Sequence, residues 1–186
     1  MRGKITWIAL FSAAMLMGEI YLAKTVQATA ATQPPGFVGT TIAKGTFSPF
    51  QVFNHASKDM LPTGNDDNVW LSLQKTQGRS DLYIQSNSWQ PVTNNTVAST
   101  GWHTHPGHSL IIVTAGTITE YEDDCTPHVY QKGDTLVDPG NGHVHIIRNE
   151  GTVLASTMAV QLVPYDPAKT NRRIDAPAPE NCSSIN

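Results

Sequence analysis

The sequence predicts an all-β chain folded as a sandwich or barrel, on three observations. Short apolar runs rich in Val, Ile, Thr and Tyr recur along residues 51–163, several alternating with period two. Turn-forming clusters such as "PTGND", "QGR", "KGD", "PGNG" and "NEG" separate them. Beyond residue 30 no stretch sustains an amphipathic helix, save a short candidate at "NHASKDML" (54–61). Strands at regular spacing with no helices between them must bury their apolar faces sheet against sheet.

Residues 1–30 read as an export signal. Arg2 and Lys4 precede the uncharged apolar stretch "ITWIALFSAAMLMG" (5–18), and small-residue sites end at Ala28 and Ala30. The apolar run is shorter than the roughly 20 residues of a spanning helix, which weakens the alternative of an uncleaved anchor. The expected product is an exported protein, periplasmic or extracellular, with cleavage near Ala28 or Ala30. "TQPPG" (32–36) marks a linker, taken as 31–35 ahead of the domain.

The strands expected next are "QVF" (51–53), "VWLSLQ" (69–74), "DLYIQ" (81–85), "SLIIVTA" (109–115) and "TITEY" (117–121). "HVY" (128–130), "DTLVD" (134–138), "HVHIIR" (143–148) and "VLASTMAVQLV" (153–163) complete the set. One domain over 36–165 follows, with no internal repeat. The Pro-rich, polar tail at 166–186 is expected to be irregular.

Charge excludes some partners. Cleaving 1–30 removes Arg2, Lys4, Lys24 and Glu19, so Lys+Arg falls from 12 to 9, Asp+Glu from 15 to 14, and formal charge from −3 to −5. No basic run remains for nucleic acid or for an anionic membrane surface. The two cysteines, Cys125 and Cys182, form a disulfide candidate in an oxidising compartment, two unpaired thiols being the alternative.

The histidines carry the chemistry. "GWHTHPGHSLIIVTAG" (101–116) holds His103, His105 and His108, and "GHVHIIRN" (142–149) holds His143 and His145. On a strand, i and i+2 share a face about 7 Å apart, so "HTH" aims two imidazoles into one space. A neighbouring strand carrying His145 would bring a third, enough for a divalent first-row metal with coordination positions left open.

These residues resemble the cupin superfamily. Its first motif has a glycine, His-X-His, a glutamate and a closing glycine; its second runs Gly, Pro, Gly, His, Asn. Here His103, His105 and Gly116 stand at the first motif's spacing, and Gly133, Pro139, Gly142, His145 and Asn149 follow the second. The chain departs in three places. The opening glycine lies only two residues before His103, one residue is inserted between Pro139 and Gly142, and Ser109 stands where the glutamate belongs.

The resemblance implies a double-stranded β-helix, the cupin jelly roll. It implies a three-histidine metal site on His103, His105 and His145, with Asn149 bracing backbone and a homodimer as the assembly. Three neutral imidazoles leave the full charge on one divalent transition ion, with iron first and nickel, copper or zinc as alternatives. His108 is a fourth ligand, a proton shuttle or a rim residue. His143 is a substrate-contacting group or a turn residue just outside; these two are the catalytic candidates.

Glu120 could point inward as a base, though solvent exposure is expected, and His55 and His128 are expected to be structural or exposed. The leading function is a metal-dependent oxidoreductase of dioxygenase type, acting on a small anionic or enolisable molecule. The alternatives are a non-redox isomerase or lyase, and a non-catalytic module that binds a sugar or another small molecule.

Overall fold

In a computed structural model, residues 36–52, 74–167 and 172–185 are described. The signal and linker at 1–35, the short helix at 54–61, His55 and most of the strand expected at 69–74 lie outside them. Among the described residues no helix is long and apolar enough to cross a membrane.

Thirteen strands follow one another among the described residues: β1 Phe37–Phe47, β2 Gln51–Val52, β3 Gln74–Lys75, β4 Ser80–Trp89, β5 Ala98–Ser99, β6 His103–Thr104 and β7 Ser109–Ala115, then β8 Thr117–Tyr121, β9 Pro127–Gln131, β10 Thr135–Asp138, β11 Ile146–Asn149, β12 Ala155–Pro164 and β13 Ile174–Asp175. They form a five-stranded sheet ordered β1-β4-β12-β7-β10 and a four-stranded sheet ordered β5-β11-β8-β9, with the small pairs β13-β6 and β2-β3. All the registered pairs are antiparallel. Strands adjacent in sequence, such as β7 and β8, belong to different sheets, so the chain winds as a double-stranded β-helix.

Side-chain parity sets the core. On β7, Ser109, Ile111 and Val113 point inward while Leu110, Ile112 and Thr114 face solvent. Trp89, Ile111, Val113, Ile118, Leu136 and Ile147 meet between the two sheets, each worth about 1.5–3 kcal/mol for full burial of its side chain. Gly116 turns β7 into β8 with φ of +66°, and a Cβ there would strike the Leu154 carbonyl and come within 2.8 Å of Ala155 Cα. Asn149 braces the far end: its Nδ2 donates to the carbonyls of Trp89, Gln90 and Val153 at 3.1, 3.0 and 2.8 Å.

β1 has no counterpart among the strands expected from sequence. Ten of its eleven residues are exposed and two are glycines, so neither face carries the apolar alternation that marks a half-buried strand. It is held by its ladder to β4, from Phe37–Trp89 to Phe47–Ser80. The tail is irregular except for β13 and one 3₁₀ turn, Glu180–Cys182, but it is tied down. Cys182 is joined to Cys125 by a disulfide, with 5.4 Å between the Cα atoms. Trp102 Nε1 donates to the Ile185 carbonyl at 2.7 Å, and Trp102, Ile146 and Cys182 form a second apolar cluster.

Candidate metal centre

Gly101, with φ of +68°, turns the chain into β6 and sets up the histidine pair. His103 and His145 exchange both backbone hydrogen bonds, each N to O at 2.9 Å. Directly opposed residues put their side chains on the same face, and the two rings lie 4.5 Å apart, centroid to centroid. His105 adds a third ring, 4.8 Å from His103 and 5.7 Å from His145. One ring nitrogen from each lies within 4.8 Å of the other two. The structure thus brings His103, His105 and His145 to one point.

Each ring is locked by its Nδ1. His103 Nδ1 donates to the Gly101 carbonyl at 2.8 Å, and His105 Nδ1 donates to the Arg172 carbonyl at 2.6 Å. Carbonyls only accept, so both rings carry the proton on Nδ1 and keep the Nε2 lone pair free. His145 Nδ1 lies 2.7 Å from Glu120 Oε1, where the carboxylate accepts the same proton. This is the outer-shell pattern that orients metal-bound histidines.

Burial holds His103 well below the usual imidazole range, helped by the charges on His145 and Arg173. Burial also lowers His105, to about 4. At neutral pH these two rings are therefore neutral donors, the form that binds a metal. His145 Nε2 is buried with no hydrogen-bond partner, an orphan that a cation would satisfy. The donor set fits a divalent transition ion.

Two carboxylates border the histidines. Glu120 was expected on the solvent face; the structure overturns this, since it is 3% exposed. It shares strand parity with the buried Ile118 and is fixed by His145. Asp138, assigned no role from sequence, is 1% exposed. It is the cross-strand partner of Ser109, whose other neighbour is Gln161. Ser109 Oγ donates to Asp138 Oδ2 at 3.5 Å and accepts from Gln161 Nε2 at 3.2 Å.

The position where the family's glutamate would stand is thus filled by a polar row, with an aspartate one strand away. Asp138 Oδ2 is 3.7 Å from His105 Nε2, and its Oδ1 accepts the Gly140 N–H at 2.8 Å. Parity could have found both acids: Leu136 is buried two residues before Asp138, as Ile118 is before Glu120.

The other described histidines lie outside the three-ring cluster. His143 is half-buried, its Nδ1 3.6 Å from Asp138 Oδ1 and its Nε2 3.4 Å from Glu122. Its ring is 5.8 Å from His145, and with Asp138 and His145 it forms a second group of potential ligand atoms. It does not line the cavity over the three histidines. Nor does His108, whose carbonyl accepts from Leu162 N at 3.1 Å. His128, on β9, is half-buried and lies opposite Glu120 in the ladder.

The cavity holds about 80 Å³. Trp89, Ile111 and Ile147 give it apolar walls, and Gln85, Asn87 and Gln161 give it polar ones. Arg172 and Arg173 reach it from the tail. β13 pairs with β6, placing Asp175 opposite His103 and Ile174 opposite Thr104. The segment judged irregular from its prolines is therefore part of the site.

Residues 93–160 match the family described as Cupin domain. No curated protein matches the chain. Among solved structures, a cupin 2 conserved barrel domain protein from Leptotrichia buccalis is similar at 25% identity, over 43% of this chain and 35% of that one, with a TM-score of 0.37. A sugar phosphate isomerase from the cupin superfamily of Silicibacter pomeroyi aligns at 18% identity, over 45% and 51%, with a TM-score of 0.38. The polyketide cyclase RemF from Streptomyces resistomycificus aligns at 15%, over 56% and 68%, with a TM-score of 0.41. The chain thus spans about a third of the first of these proteins and half of the second. The family match encloses all three converging histidines, and residues 93–160 form a cupin domain.

Proposed function

We propose that the protein holds one divalent transition ion on His103, His105 and His145 and acts as an oxidoreductase of dioxygenase type on a small anionic or enolisable molecule. The observation that carries this is the common polarity of the three rings: every Nδ1 is engaged outward, leaving three Nε2 atoms for one shared partner. The buried, unpartnered Nε2 of His145 supports the same reading. Iron is the first choice for imidazole-only donors that leave coordination positions open, with nickel, copper or zinc next. Such an ion supplies Lewis acidity and, for iron or copper, a redox couple.

The chain's own residues set up the chemistry. Glu120 and the Arg172 carbonyl hold two of the rings in place, and the apolar walls limit water around a bound substrate. Oxygen consumption by iron-loaded protein against diketones, thiols and phenolic acids tests the oxidative reading. Uptake is expected with at least one class and is expected to vanish in His145→Ala. No uptake across the panel with a fully loaded protein overturns it.

A non-redox isomerase or lyase is the second reading, favoured by Asp138 and His143 lying 3.6 Å apart beside the histidines. With Asp138 Oδ2 3.7 Å from His105 Nε2, that pair is placed to hold or pass a proton beside the histidines. Substrate-dependent solvent deuterium incorporation by zinc-loaded protein separates it from the first. We also propose export. The signal-like pattern at 1–30 supports it, and a Cys125–Cys182 disulfide suits an oxidising compartment.

A further inference from the structure

We infer that the cavity above the three histidines is a binding site for a small hydroxycarboxylate, its carboxylate paired with the Arg172 guanidinium. This rests on the metal reading above and names the ligand class for that site. Arg173 lines the same cavity but is neutralised by Asp175, with Nη2 2.8 Å from Oδ1. Arg148 has Glu150 at 3.5 Å and Lys44 has Asp81 at 2.9 Å. Arg172 is half-buried and, among the described residues, has no carboxylate partner; its guanidinium faces the Tyr83 ring at 5.9 Å. A desolvated guanidinium without an anion is costly, and its planar fork suits a carboxylate.

Its place in the site is built. The Arg172 carbonyl accepts the His105 Nδ1 proton at 2.6 Å, and the β13–β6 pair and the disulfide hold the following tail. Charge balance agrees. A divalent ion with Arg172, set against Glu120 and Asp138, leaves one net positive charge, which one carboxylate neutralises.

The second observation concerns the polar wall. Gln85 and Gln161 are each 2% exposed and line the cavity. Neither side-chain carbonyl oxygen has a donor. Their Nε2 atoms are engaged by Thr41 at 3.4 Å and Ser109 at 3.2 Å. Buried acceptors in need of a proton favour a ligand with a hydroxyl. A cavity of about 80 Å³ restricts it to a few heavy atoms.

Calorimetric titration of the full chain, zinc-loaded and chelator-treated, with lactate, lactamide and propionate tests the inference. Lactate is expected to bind at least about tenfold more tightly than lactamide in both forms, and more tightly than propionate. Arg172→Gln should erase the preference for lactate over lactamide, and Arg172→Lys should restore part of it. Gln161→Leu should narrow the preference for lactate over propionate.

Equal binding of lactate and lactamide, a preference that survives Arg172→Gln in a protein of unchanged thermal midpoint, or no binding of any probe overturns the proposal. Zinc per chain is measured on the same samples. A chain that takes up no zinc fails the metal reading, while the Arg172 dependence in chelator-treated protein still decides this one.

Discussion

Glu120 gives the sharpest test of how the centre is organised. Its Oε1 lies 2.7 Å from His145 Nδ1, and the side chains are 4% and 1% exposed. A charge-assisted bond in such a place contributes about 1.5–3 kcal/mol, and it gains strength as a metal draws electron density from the far nitrogen. Glu120→Gln keeps an acceptor for Nδ1–H and removes only the charge; Glu120→Leu removes both. Loss of an outer partner of a metal-bound histidine typically costs 10–100-fold in affinity. The expectation is about tenfold weaker zinc binding for Glu120→Gln, or about 1.4 kcal/mol, and about a hundredfold for Glu120→Leu. Competition against a chromophoric chelator at pH 7.5 measures both, with thermal midpoints reported alongside. A folded Glu120→Leu protein that binds zinc within about twofold of the parent would refute the reasoning.

Other expectations follow from the same contacts. His105 titrates at about 4 when folded and near the ordinary 6.5 when unfolded, so its contribution is complete above pH 6.5 and is lost as pH falls toward 4. Urea denaturation of metal-free protein should show up to about 3 kcal/mol less stability at pH 4 than at pH 7 from this group, with His103 shifted in the same direction. Asn149→Ala leaves three carbonyls without their donor. It should cost about 3 kcal/mol in the same denaturation assay without changing zinc affinity. Replacing Cys125 and Cys182 by serine opens a bridge spanning 57 residues. On loop entropy it should cost about 4 kcal/mol and weaken zinc binding, because the tail positions the acceptor of His105; unchanged zinc affinity would separate the tail from the site.

Much of this was legible in the chain. His103 and His145 are pinned opposite each other by a backbone bridge, and local spacing plus glycine turns pointed to both. β7 and β12 were readable because one face is buried and the other is more exposed, so burial alternates along them. β1 was not readable, since exposure on both faces removes any pattern from it. Glu120 was expected in solvent and Asp138 was given no role, because charged residues on strands usually face water; only the neighbouring buried Ile118 and Leu136 betray their direction. Arg172 could not be placed from the sequence. Nothing local in "KTNRRIDAPAPE" shows that the tail returns to β6, a contact made about seventy residues away in sequence.

The central claim is that His103, His105 and His145 hold a single divalent ion. Metal per chain, measured by elemental analysis after reconstitution and gel filtration, tests it most directly in the parent and in His145→Ala. The account predicts one ion per chain in the parent and under about a tenth of that in His145→Ala, since both the deleted Nε2 and the Glu120 brace are lost. A parent chain that retains no metal, or a folded His145→Ala that retains a full equivalent, would contradict it.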